Sequence, residues 1–203
     1  MNRHIKTLFA IGVLALAPIG TAIAGPFEDG QVANRRQDYV EALRLWGQLA
    51  DQGNARAQFS LGQMYYMGQG VPRDYAQADA WYRKAADQGF DYAQFDLGVA
   101  YEDGGLGVPQ DYALAHMWFN LASSPATNTD LRQMAVQNRD HVAAKMTPAQ
   151  IDEAQRMARS WKPNLPPSCP TSTRAGAQCD ASNVRRGPMS ADIANASDAV
   201  ARP

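Results

Sequence analysis

Apolar residues recur at spacings of three and four along most of the chain, and one such run is written three times. Ala42, Leu45, Trp46, Leu49 and Ala50 share one face of a helix that Asp38 opens and Gly53 closes. The stretch DYAQADAWYRKAADQG, from Asp74 to Gly89, repeats that run 36 residues later, and DYALAHMWFNLASS returns 37 residues further on, from Asp111. Every copy opens on Asp-Tyr, where the aspartate suits an N-cap because its carboxylate accepts from free N–H groups of the first turn. Every copy also has an alanine four residues on (Ala42, Ala78, Ala115) and then a bulky pair (Leu45-Trp46, Trp81-Tyr82, Trp118-Phe119).

A second helical pattern alternates with the first. It reads ARAQFSLGQMYYM from Ala55 and YAQFDLGVAYED from Tyr92, with A-Q-F-x-L-G-x-x-Y common to both. Gly62 and Gly98 fall inside these helices, where glycine costs roughly 0.5 to 1 kcal/mol relative to alanine. Their recurrence at one place implies a packing reason, the close approach of a neighbouring helix. Each helix runs into a glycine loop ending in Val-Pro (68–72 and 104–109), and one extra residue in the second loop explains the spacing of 37. These loops are structural, since no G-x-x-x-x-G-K-[ST] is present and no strand precedes them.

The flanks are less regular. Residues 27–36 read as a short, weakly patterned helix, a degenerate capping half-repeat. A longer helix is expected over 129–146, with Leu131, Met134, Ala135 and Val142 on one face. Thr147 to Gln150 forms a capping box with proline at the first helical position. The helix it starts turns Ile151, Ala154, Ala158 and Trp161 inward and Asp152, Glu153, Arg156 and Arg159 outward, as a terminal cap should.

A period of this length means stacked helical pairs, each too small to bury its own apolar face. The unit A-x-A-Q-x-x-L-G-x-x-Y followed by G-x-G-V-P-x-D-Y-x-x-A-x-x-W-Y-x-K-A-A-x-Q-G resembles the Sel-one-like repeat family, a relative of the tetratricopeptide repeats. Two units match closely, 53–88 and 89–124, and the resemblance extends over roughly 27–161. It implies an all-α fold, a right-handed α-α superhelix of about four helix pairs, whose first helices line a concave groove. Taking Leu61, Gly62 and Tyr65 as the packed face leaves Arg56, Phe59, Gln63 and Tyr66 for that groove. The next repeat offers Tyr92, Phe95, Val99 and Glu102. Packing between repeats is the competing role for Phe59 and Phe95. The tryptophans (Trp46, Trp81, Trp118, Trp161) sit in second helices and are better explained as core than as ligand contacts. The resemblance implies a protein or peptide partner, with an envelope regulator or a cell-wall complex as candidates, and a non-catalytic role as a monomeric scaffold without cofactor. The alternative is a cell-wall or β-lactam-processing enzyme like the cysteine-rich branch of the family, but none of these repeats contains a cysteine.

The N-terminus adds a destination. Basic residues (Arg3, His4, Lys6), an apolar run from Leu8 to Ala17 and the small-residue site Ala22-Ile23-Ala24 before Gly25 lay out a secretory signal peptide over 1–24. The run is far shorter than the roughly 20 residues that span a bilayer. Cleavage between Ala24 and Gly25 would send the chain to the periplasm or outside the cell, without stable membrane insertion. It would also move the formal charge from −1 to −3, which argues against nucleic-acid binding. The domain expected over 25–161 is followed by a Pro- and Ala-rich tail, 162–203, that cannot bury enough to order itself. Cys169 and Cys179 lie in that tail and in an exported protein read as a disulfide. His116 sits at a variable repeat position and His141 on a helix without a partnered motif. Neither belongs to a metal motif, and no serine stands in a nucleophile motif.

Overall fold

In a computed structural model, residues 25–124 and 128–165 are described. They form eight helices and no strand among the described residues: α1 (Pro26–Arg35), α2 (Tyr39–Asp51), α3 (Ala55–Met67), α4 (Tyr75–Asp87), α5 (Asp91–Asp103), α6 (Tyr112–Ser123), α7 (Thr129–Ala143) and α8 (Pro148–Ser160). Successive helices α1 to α7 pack on one another in chain order, which is the α-α solenoid expected from the repeat. The expected signal peptide over 1–24, the disulfide expected between Cys169 and Cys179, and the tail beyond Leu165 lie outside the described residues.

Local rules place the helix ends. Asp38, Asp74 and Asp111 each accept from backbone N–H groups of the first turn, at 2.9 to 3.2 Å. Asn54 does the same for α3. Gly68 and Gly104 close α3 and α5 in the left-handed conformation. The extra residue of the second loop falls around Leu106, which adopts φ +56° and tucks its side chain into the core. Thr147 and Gln150 form the expected capping box, with Pro148 at the first helical position.

The alanines of each repeat let the helices approach, and the aromatic residues fill what remains. Trp46, Tyr82 and Phe119 occupy equivalent places in α2, α4 and α6, and each ring lies directly on a glycine of the preceding helix. A Cβ built on Gly30 would come within 2.3 Å of Trp46, on Gly62 within 2.7 Å of Tyr82, and on Gly98 within 2.6 Å of Phe119. The slot therefore admits the second member of each bulky pair. Trp118 is buried beside it, whereas Trp81 stays half-exposed with Lys84 Nζ 3.8 Å above its ring.

Polar ties run along the same stack. The glutamine of each A-Q-F, Gln58 or Gln94, is buried and donates to a carbonyl at the end of the preceding helix, Ala50 O at 3.1 Å or Ala86 O at 3.2 Å. Each bond is a second one to a C-terminal carbonyl that also accepts the N–H of the closing glycine, Gly53 at 3.0 Å or Gly89 at 2.9 Å. Helix α3 is buried almost all round. Ala57, Leu61 and Met64 belong to a core shared with α1 and α2, and Ala55 and Phe59 to the larger core of α4 to α8.

The stack changes character after α6. Helix α7 ends at Ala143, three residues short of the expected 146, and Met134, expected on its packed face, is 45% exposed. Leu131, Ala135 and Val142 carry the packing instead, on one stripe with the spacing of an α-helix. Helices α7 and α8 both pack on α6 and hardly touch each other. Ala154 and Ala158 are buried as expected, and the segment after α8 meets the end of α4. The Trp161 ring reaches to 3.6 Å from where a Cβ on Gly89 would lie, and Asn164 N–H donates to Asp87 O at 2.7 Å. The segment after α8, through Leu165, is thus tied to the end of α4.

The glycine slot separates two effects of the same substitution. Gly47, also helical, has nothing within 4 Å of a built Cβ, so Gly47→Ala should raise stability by about 0.5 to 1 kcal/mol. Gly98→Ala should instead lower it by about 1 to 3 kcal/mol, because the methyl meets a fully buried ring. Urea unfolding of both variants is the check, and equal shifts of the same sign would refute the slot.

Candidate functional site

The first helices of the pairs, α3 and α5, carry the eight residues expected to line a groove, and the structure divides them. Phe59 is not available to a partner. It is 3% exposed, its ring lying 5.4 Å from Tyr82, 5.2 Å from Phe90 and 6.3 Å from Tyr92. The reason is its place at the seam between repeats, where an apolar ring is drawn into the interior. Phe95 packs 5.5 Å from Phe119, and Val99 packs against the same core.

Two charged members of the set are committed to the fold. The Arg56 guanidinium lies 4.1 Å above the Phe27 ring and 3.6 Å from Glu28, joining α3 to α1. Burial lowers its pKa, with Glu28 opposing that shift. Glu102 pairs with Lys145 at 3.3 Å and lies 3.5 Å from His141, joining α5 to the far end of α7.

Gln63, Tyr66 and Tyr92 remain half-buried at the surface. Tyr66 meets Tyr75 at 5.5 Å, and the Arg73 guanidinium sits 5.3 Å from the far ring, so two aromatic rings end in a cation. The Tyr92 hydroxyl accepts from Asn128 Nδ2 at 2.6 Å. Asn128 also caps α7 through Oδ1, so one side chain links α5 to the start of α7. Burial raises the pKa of both tyrosines.

Sequence reasoning missed Asp96, one residue beyond Phe95. This half-buried carboxyl is pushed up to about 7 by burial, and its charge acts on the Tyr66 and Tyr82 hydroxyls. At the equivalent place in the preceding repeat Ser60 bonds its own helix, Oγ to Arg56 O at 3.0 Å. The signal was available in the sequence as a carboxylate standing where the other repeat has a small hydroxyl. Gln63, Tyr66, Tyr92 and Asp96 together offer aromatic faces, an amide and a carboxyl group that can donate or accept near neutral pH.

A family model for the Sel1 repeat matches residues 26–54, 55–90 and 91–124. The chain is a Sel1-repeat protein. The matched units begin two residues later than the two close units expected from the sequence, and they take in 26–54 as a further repeat. Among solved structures, a protective antigen present in uropathogenic Escherichia coli strains, displaying an SLR fold, is 33% identical with a TM-score of 0.60; the likeness covers 67% of this chain and 29% of that one. A Sel1 repeat protein from Oxalobacter formigenes is 42% identical over 41% of this chain and 63% of its own, with a TM-score of 0.40. The chain thus spans less than a third of the first relative's length and less than two thirds of the second's. No curated protein matches the chain significantly. Helices α7 and α8 lie beyond the matched repeats.

Asp96 makes the stability of this Sel1 array depend on pH. An unfolded aspartate titrates near 3.9, so between about pH 4 and 7 the folded state holds the proton that the unfolded state releases. Stability should therefore fall as pH rises through that window and level off above it. Asp96→Asn should remove about 1 to 2 kcal/mol of that fall and leave the variant more stable than wild type at pH 8. Urea midpoints at pH 5 and pH 8 test this, and parallel profiles for the two proteins would contradict it.

Proposed function

We propose that this chain is an exported scaffold, periplasmic or secreted, that holds a protein or peptide partner on the α3–α5 face. Sel1-repeat proteins are interaction scaffolds, and that class is what the family supplies. The observation that carries the site is the half-buried set Gln63, Tyr66 and Tyr92, with Asp96 near enough to Tyr66 for its charge to act on that hydroxyl. Here half-exposed aromatic rings stand beside polar groups, the composition that peptide-binding surfaces use. Export rests on the basic, apolar and small-residue layout of 1–24, and helix α1 starts at Pro26, directly after the Ala24-Gly25 junction. An envelope regulator or a cell-wall complex fits that compartment as partner. The enzymatic alternative gains no support, because the cysteine pairs that mark that branch are missing from all three matched repeats.

Crosslinking pull-down from the native envelope tests the face. Tyr66→Ala and Gln63→Arg, each shown by circular dichroism to be folded, should reduce capture of the partner roughly 5- to 30-fold, the range of a central tyrosine contact. Unchanged capture by both variants would remove this face from the proposal. The compartment has a separate readout: the protein recovered from the envelope should have the mass of a chain beginning at Gly25, and full-length protein in the cytoplasm would refute export.

A further inference from the structure

The end of the solenoid holds a second site, outside the matched repeats and independent of the α3–α5 face. Because α7 and α8 both lie on α6 without closing on each other, an open pocket of roughly 450 Å³ remains between them. His116 and Asn120 of α6 line it, with Arg139 and Asp140 from α7 and Gln155 and Arg159 from α8.

His116 is the informative member. It is 3% exposed, and its Nδ1 has no hydrogen-bond partner among the described residues. A buried polar nitrogen is costly to leave unpaired, and native structures almost always satisfy such atoms, so an unpaired one at a pocket points to something that binds there. The charges around it are unbalanced. Arg139 donates through Nε and Nη2 to one oxygen of Asp140, at 3.0 and 2.8 Å. Arg159 forms no ion pair among the described residues and is exposed. Two guanidiniums against one carboxylate leave a single net positive charge.

A planar guanidinium suits a carboxylate, which can accept two parallel bonds from it. The side-chain amides of Asn120 and Gln155 add neutral donors, and Ile151 gives the pocket an apolar wall. One surplus positive charge matches a monoanion with an apolar neighbour. We infer that this terminal pocket binds a monocarboxylate, held by Arg159 and Arg139 against a wall that includes His116. The free end of a peptide and a short organic acid share that chemistry.

The full chain, with its histidines labelled with ¹⁵N, would be titrated with N-acetyl-alanyl-alanine, with the C-terminal amide of the same peptide and with acetate. His116→Gln assigns the resonance. The dipeptide acid should shift the His116 ring nitrogens saturably, and the amide should not. Arg159→Met changes an exposed residue, so the fold should survive; it should weaken binding about fivefold or more, the worth of one charge pair. Acetate binding as well as the dipeptide acid supports the site and assigns it to small acids, whereas much weaker acetate binding assigns it to peptide ends. No saturable shift with either acid, an equal response to the amide, or unchanged affinity in Arg159→Met would overturn the inference.

Discussion

The seating of one aromatic ring on one glycine sets the geometry of every repeat. Trp46 on Gly30, Tyr82 on Gly62 and Phe119 on Gly98 bring the second helix of each pair onto the first at a distance that only a missing side chain permits. Burial of a large ring stabilises the pair by several times what glycine costs within a helix. The local penalty is therefore outweighed by tertiary packing, and the glycine persists mid-helix against its propensity. The alanines around the slot (Ala42, Ala78, Ala115) are fully buried and complete the close contact.

Polar ties join each pair to the next, where no glycine slot acts: Gln58 and Gln94 donate to carbonyls at the ends of α2 and α4. Where the motif ends, so does the tie: α7 has no glycine to receive a ring from α8, and the two helices come to rest side by side on α6. Other contacts hold this end. Asn128 joins Tyr92 to the cap of α7, Glu102 meets Lys145, and Asn164 grips Asp87. A regular fourth pair would have filled the space that His116 now faces.

The repeating part was legible in the sequence nearly to the residue, because its signals are local and reinforce one another. Asp caps, the A-Q-F-x-L-G unit and the glycine loops fix both the helix bounds and their faces. The sites were less legible. Phe59 and Tyr66 sit on one short helix and look alike as exposed aromatics, yet one is drawn into the seam between repeats and the other is not. That difference depends on where Phe90 and Tyr92 come to lie, which no spacing within α3 reveals. Met134 failed for a similar reason: α7 packs chiefly on α6, and a helix with one main neighbour needs a narrower stripe. His116 carried no motif, and its environment is assembled from three helices after the pattern has broken down.

Asp96 shows how the fold and the proposed binding face pull against each other. Helix α3 is so fully buried that little of it remains for a partner. Stability alone would favour a serine at position 96, since Ser60 satisfies itself within its own helix at the equivalent place. A carboxyl there is held near neutral pKa by burial, at a cost to the folded state once it ionises. A partner that donates a hydrogen bond at this position would offset that cost on binding. The residue least explained by packing thus stands beside Tyr66, an aromatic residue that packing leaves half-buried.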